Sequence, residues 1–162
     1  MQKNLNKKGM TLLEMMVVVI IIAGMILVAY PTYLSSLEKG RALEAVRLVS
    51  NFVAAQVKYR AENGADDGAY ATSFKALDVD PSGKDKTTNP TVVTDKTVTT
   101  QNFLYTLTGT SISASSRSNS YAYNIIGTYD NDMVTCETSS ESGKKICSSI
   151  GLKISDGKYR IE

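Results

Sequence analysis

Sixteen consecutive residues without a charge, Met15 to Tyr30, follow a basic stub ending in Lys7-Lys8-Gly9, and one carboxylate, Glu14, stands at the mouth of the run. No other feature restricts the chain as strongly. As a helix, Met10 to Ala29 spans roughly 30 Å, the thickness of a bilayer's hydrocarbon layer. Lys3, Lys7 and Lys8 precede it, which places the N-terminus in the cytoplasm and everything beyond Tyr30 on the far side. A secretory signal would have a shorter apolar stretch and a small-x-small cleavage site behind it, and Val28-Ala29-Tyr30-Pro31 supplies none. No cysteine follows for lipid attachment. An uncleaved anchor fits the length but gives Glu14 no task. A carboxylate in hydrocarbon costs roughly 2.5–3.5 kcal/mol and marks a functional suspect, unless it lies close enough to the headgroups to stay hydrated.

The leader also distorts the charge balance. The chain has 18 basic and 16 acidic residues, and without the three leader lysines the count is 15 against 16. A nearly neutral body argues against nucleic acid as a partner. Histidine is absent, which removes the commonest general base and the usual partner of a serine or cysteine nucleophile. No catalytic residue is assigned and no enzymatic activity or cofactor is expected. Asp130, Asn131 and Asp132 lack calcium-loop spacing and its distal glutamate. The Gly83-Lys84 pair lacks the preceding glycine of a phosphate loop. No metal site is expected. Cys136 and Cys147, an even pair behind a membrane anchor, point to export and a disulfide worth roughly 3 kcal/mol. The alternatives are free thiols or half of a metal site, for which no further cysteine or histidine exists.

Gly9-Met10-Thr11-Leu12-Leu13-Glu14 resembles the class III signal of type IV prepilins and their pseudopilin relatives. Basic stub, glycine, glutamate at the fifth following position and an apolar run of membrane length coincide, and Pro31 and Tyr33 also fall where that family has them. Met10 stands where the family usually has phenylalanine. The likeness implies cleavage between Gly9 and Met10 and N-methylation of Met10. It also implies assembly into a helical filament in which Glu14 of one subunit pairs with the Met10 amine of the next. Implied partners are a prepilin peptidase and methyltransferase, an inner-membrane platform, an assembly ATPase and a secretin. The implied location is the bacterial inner membrane before assembly and an extracellular fibre, the type IV pilus, after it. The use of such a fibre would be adhesion, surface motility or DNA uptake. The alternatives are a type II secretion pseudopilin, a minor pilin or a membrane-tethered domain that never polymerises.

The remaining chain reads as an α+β fold, type IV pilin-like, in which a long helix packs on a small antiparallel sheet. Residues 1–9 form the cleaved leader and 10–33 the membrane or filament-core half of the helix. In residues 34–64 Ala42, Val46, Val49, Val53 and Val57 mark an amphipathic half, with Leu48, Phe52, Ala55 and Tyr59 as an adjoining stripe. Pro31 is expected to bend the helix rather than end it, giving one rod of roughly 80 Å to Asn63. Asn63-Gly64 is the stop signal. Residues 65–102 read as a polar connecting region whose clearest turn cluster is DPSGKDKTTNP. Residues 103–162 should hold the sheet: FLYTLT, YAYNII, MVTCE and a hairpin about Asp156-Gly157 read as strands. GTSISASSRSNS, 109–120, reads as a polar loop that could alternatively accept O-linked sugar, and a C-terminal loop is pinned by Cys136 and Cys147. Such a bridge resembles the disulfide-bounded region of type IV pilins, and many pseudopilins lack it.

Overall fold

The structure, a computed structural model, describes residues 10–63, 70–77, 79, 92–151, 153–155 and 158–160. Its first element, α1, is the helix Leu12–Glu62, which passes through Pro31 without ending. The chain divides into two compact units whose boundary falls between Leu37 and Glu38.

In the first unit the helix buries nothing, and from Met10 to Leu37 its large apolar side chains are exposed. Ser36 Oγ donates to the Thr32 carbonyl at 3.0 Å, one turn back. This is the helix, among the described residues, long and apolar enough to cross a membrane.

In the second unit the rest of α1 lies on an antiparallel sheet, so the α+β architecture expected from sequence is the one found. The strands are β1 (Val92–Val93), β2 (Thr97–Thr99), β3 (Phe103–Leu107), β4 (Ser111–Ser116), β5 (Asn124–Thr128), β6 (Met133–Glu137), β7 (Lys153–Ser155) and β8 (Lys158–Arg160). Their spatial order is β1-β2-β3-β4-β5-β6-β8-β7. Antiparallel neighbours of this kind need only short connections, and a sheet with one covered face alternates buried and outward residues. The pairing puts Val98, Tyr105, Ala114, Ile125 and Cys136 in one cross-strand row, all buried. The neighbouring row, Thr97, Thr106, Ser113, Ile126 and Thr135, points to the other side.

The buried stripe of α1 is Glu38, Ala42, Ala45, Val49, Phe52, Val53 and Gln56. Ala42, Val49 and Val53 belong to the stripe read from sequence, but Val46 is half-buried and Val57 is 44% exposed. Of the adjoining stripe Phe52 is fully buried, whereas Leu48, Ala55 and Tyr59 pack at its margin. A polar residue, Glu38 or Gln56, stands at each end of the stripe, and the sheet approaches closely between them, at Val49 and Val53. A Cβ on Gly127 of β5 would lie 2.6 Å from both Val49 Cγ1 and Val53 Cγ2, so only glycine lets helix and strand meet.

Three stretches depart from the sequence reading. Residues 109–120 were expected as a polar loop, yet β4 occupies their middle and pairs on both sides. Ser-Ile-Ser-Ala-Ser is a period-2 pattern with small residues: Ile112 and Ala114 are buried while the serines are half-exposed. The polar region 65–102 contributes a 3-10 turn, Phe74–Ala76, and the strands β1 and β2 that extend the sheet. Val98 is fully buried there. The segment between the cysteines, expected as a loop, holds a second helix, α2 (Glu141–Ser149), whose N-cap Ser140 accepts from Gly143 N–H at 3.0 Å. Strands β3 and β6 lie where they were expected, whereas β5 runs from Asn124 and not from Tyr121. The C-terminal hairpin is present as β7 and β8, and β8 is the strand that joins β6. The turn residues Asp156 and Gly157, the DPSGKDKTTNP cluster and Gly64 lie outside the described residues.

Candidate functional site

Helix α1 begins beside Glu14, and the reason is local. Thr11 Oγ1 accepts from the Glu14 N–H at 3.3 Å, and the Thr11 carbonyl accepts from Met15 N–H at 3.3 Å. Thr11 is therefore the N-cap, and Glu14 falls at the third helical position, the spacing of a capping box. A carboxylate in the first turn also interacts favourably with the helix dipole. The Thr-x-x-Glu pattern was readable in the sequence. It gives Glu14 a role within its own chain, in addition to any role toward a neighbour.

Met10 precedes the helix and is 57% exposed, while Gly9 lies outside the described residues. Glu14 is exposed too. What surrounds both is a helix surface of exposed aliphatic side chains from Leu12 to Leu27, continuing to Leu37. Each such side chain is worth roughly 1.5–3 kcal/mol when removed from water. A surface of this size demands an apolar environment, either lipid or other protein.

The second unit holds the other candidate groups and commits most of them to structure. Glu38 is 3% exposed; its Oε1 accepts from Tyr123 OH at 2.9 Å and its Oε2 from Arg41 at 3.2 Å. Burial, and then the hydrogen bond to Glu38, pushes the Tyr123 hydroxyl well above its ordinary pKa. Gln56 holds both polar groups of Ala71: Nε2 donates to its carbonyl at 3.0 Å and Oε1 accepts from its N–H at 2.8 Å. Sequence reasoning missed Glu38 and Gln56, because a polar residue on an amphipathic helix ordinarily reads as solvated.

Asp130 accepts from Tyr70 OH at 2.7 Å, and Arg60 donates to that hydroxyl at 3.1 Å. Asn131 folds onto Met133, accepting from its N–H at 3.3 Å, and Asp132 has a positive φ of 54°. The Asp130-Asn131-Asp132 trio is thus a turn tied to Tyr70. Among the described residues no three metal-ligating side chains gather. Cys136 of β6 and Cys147 of α2 form a disulfide with a Cα separation of 5.7 Å, and both are fully buried. Thr138 and Ser140 hydroxyls donate to the Ala122 carbonyl at 2.6 and 3.1 Å, and Ser142 Oγ donates to that of Ser120 at 2.9 Å. These bonds seat α2 against the chain entering β5.

The structure thus places Met10 and Glu14 at the start of α1, Pro31 within it, and the cysteines together in the second unit. Residues 4–30 match the prokaryotic N-terminal methylation motif. Neither a curated protein nor a solved structure matches the chain.

Proposed function

From a chain that carries the class III signal of type IV pilins and pseudopilins over residues 4–30, we propose a structural subunit that is cut between Gly9 and Met10, N-methylated on Met10, and polymerised into a type IV pilus. The observation that carries this reading is a conjunction: the processing motif lies immediately before a helix whose apolar surface the described chain leaves uncovered. Before assembly lipid covers that surface, and after assembly other copies do.

Glu14 then supplies register. In a core of aliphatic side chains a lone carboxylate is expensive, and pairing with the Met10 amine of an adjoining copy offsets the cost. A copy displaced along the axis loses the pair. Thr11 holds Glu14 at the helix start, so carboxylate and new amine stay one helical turn apart in each subunit. Pro31 is the point at which such a rod can bend. A prepilin peptidase and methyltransferase, a membrane platform, an assembly ATPase and a secretin complete the proposed machinery. The precursor sits in the inner membrane with its N-terminus in the cytoplasm, and the product is extracellular.

The bridge between Cys136 and Cys147 favours a pilus over a secretion pseudopilus as the destination. The test is to shear surface fibres from cells and determine their composition by mass spectrometry. The expected abundant component is this chain beginning at methylated Met10, and Glu14→Ala abolishes the fibres. Fibres of normal number from Glu14→Ala cells, or a mature chain that still begins at Met1, defeat the proposal. If the processed chain is found only in membranes of a secreting cell, the pseudopilin reading prevails.

A further inference from the structure

We propose that Tyr30 and Tyr33 anchor α1 in the headgroup layer on the far side of the membrane, and that this anchorage fixes the depth of Glu14 and of the Gly9–Met10 bond at the cytoplasmic side. The partner is the polar interface of a phospholipid bilayer, and the inference rests on the membrane-anchored precursor described above.

Four observations carry it. From Met15 to Ala29 the helix bears no aromatic and no charged residue, and the first departure from aliphatic character is Tyr30. Tyr30 and Tyr33 are each 60% exposed and three positions apart, which puts both rings on one side of the helix. An amphipathic ring of this kind is most stable at the level of the headgroups. Polar groups gather at the same height: Thr32, Ser35 and Ser36 follow directly, with Ser36 Oγ donating back to the Thr32 carbonyl. Finally, Pro31 brings no N–H to the Leu27 carbonyl. Deep in hydrocarbon that carbonyl would lack a donor, whereas near the interface water reaches it.

Length then determines the other end. Counting about 20 residues, or roughly 30 Å of helix, back from Tyr30 and Tyr33 arrives at Met10 to Leu13. Glu14 therefore lies within one turn of the cytoplasmic headgroups, where its carboxylate stays hydrated, and the scissile bond sits at the membrane surface. The tyrosines act as positioning residues, not catalytic ones. Without them Thr32 and Pro31 alone resist entry of this stretch into hydrocarbon, and the hydrocarbon-matched segment moves toward the C-terminus. The cytoplasmic end of the helix then rises toward its own interface.

The chain has no tryptophan, so a single indole reports depth without background. Full-length Tyr33→Trp is reconstituted into phosphatidylethanolamine–phosphatidylglycerol vesicles whose lipids are brominated either near the headgroup or near the chain end. The expected result is several-fold stronger quenching of the indole at position 33 by the shallow bromines. In a second pair, Met16→Trp is compared with and without Tyr30→Ala and Tyr33→Ala, and quenching by the shallow bromines should rise when the tyrosines are removed. Stronger quenching at position 33 by the deep bromines, or an unchanged pattern at position 16, overturns the proposal. The vesicles contain no peptidase and no assembly machinery, so the filament reading stands apart from the outcome. Release of the chain by alkaline carbonate would instead defeat the membrane-anchored premise itself.

Discussion

Glu38 and Tyr129 are two buried polar side chains that the structure treats in opposite ways. Glu38 has Tyr123 and Arg41 as hydrogen-bond donors, whereas the Tyr129 hydroxyl is buried with no partner at hydrogen-bonding geometry among the described residues; Gln56 lies beside it, but its amide bonds both polar groups of Ala71. Removing the Tyr123 hydroxyl strands a buried carboxylate oxygen, so Tyr123→Phe should cost about 1–3 kcal/mol. Tyr129→Phe should be neutral or stabilising, because it removes a polar atom that gains nothing by burial. Urea unfolding midpoints of the detergent-solubilised chain check both; a loss at position 129 equal to that at 123 would refute the contrast. Both tyrosines, together with Tyr105, set an alkaline limit. Burial pushes the Tyr105, Tyr123 and Tyr129 hydroxyls above the ordinary value of 10.0. The unfolded chain therefore releases these protons first, and stability that is complete below pH 10 falls as the pH rises through and beyond it. Urea midpoints measured from about pH 9 to pH 11 should decline, with a shallower decline in Tyr105→Phe. None of these pairings was legible in the sequence: Glu38 and Tyr123 are 85 residues apart, and a charge on a helix carries no sign of a distant hydroxyl.

At the level of elements, legibility followed the strength of the local pattern. Phe103–Leu107 and Met133–Glu137 combine aromatic or β-branched residues with alternation, and both are strands where the pattern placed them. Ser111–Ser116 has the same alternation, but its composition of serine, alanine and a single isoleucine resembles a loop. Its strand character comes from pairing with β3 and β5, a tertiary effect that outweighs weak intrinsic preference. The helix between the cysteines was hidden for a related reason. ESGKKICSS is short and polar, and it is held by the Ser140 cap, the hydroxyl contacts to Ala122 and Ser120, and the covalent bond at Cys147. An isolated helix of that length would be marginal in water. Replacing Cys136 and Cys147 by alanine together should therefore cost about 2–4 kcal/mol and loosen α2 before the strands. Thermal unfolding gives the first quantity, and amide exchange gives the second. If α2 amides keep their protection relative to β3 and β4 in the double variant, the bridge does not hold the helix.

For the whole molecule the division at Leu37 and Glu38 separates two kinds of surface. On one side lies a helix whose aliphatic residues face outward, and its processing motif, span and lone carboxylate were all readable because they are contiguous in sequence. On the other side lies a core that includes Phe52, Phe74, Phe103, Tyr105 and Ile125, assembled from residues scattered over the chain, whose sheet order no local pattern encodes. The order β6-β8-β7 illustrates the point, since the last strand inserts beside β6 and leaves β7 at the edge. If the chain polymerises as proposed, this division assigns the attraction between copies to the first unit. A fragment beginning at Ser35 keeps Glu38, its partners and the core stripe of α1, but loses the exposed aliphatic run. It should fold in water without detergent and sediment as a monomer, while the processed full chain requires lipid, detergent or other copies. Sedimentation velocity and a dispersed amide spectrum test this directly. If the fragment itself forms fibres, the attraction between copies resides in the globular unit, and the apolar helix serves only to hold the precursor in the membrane.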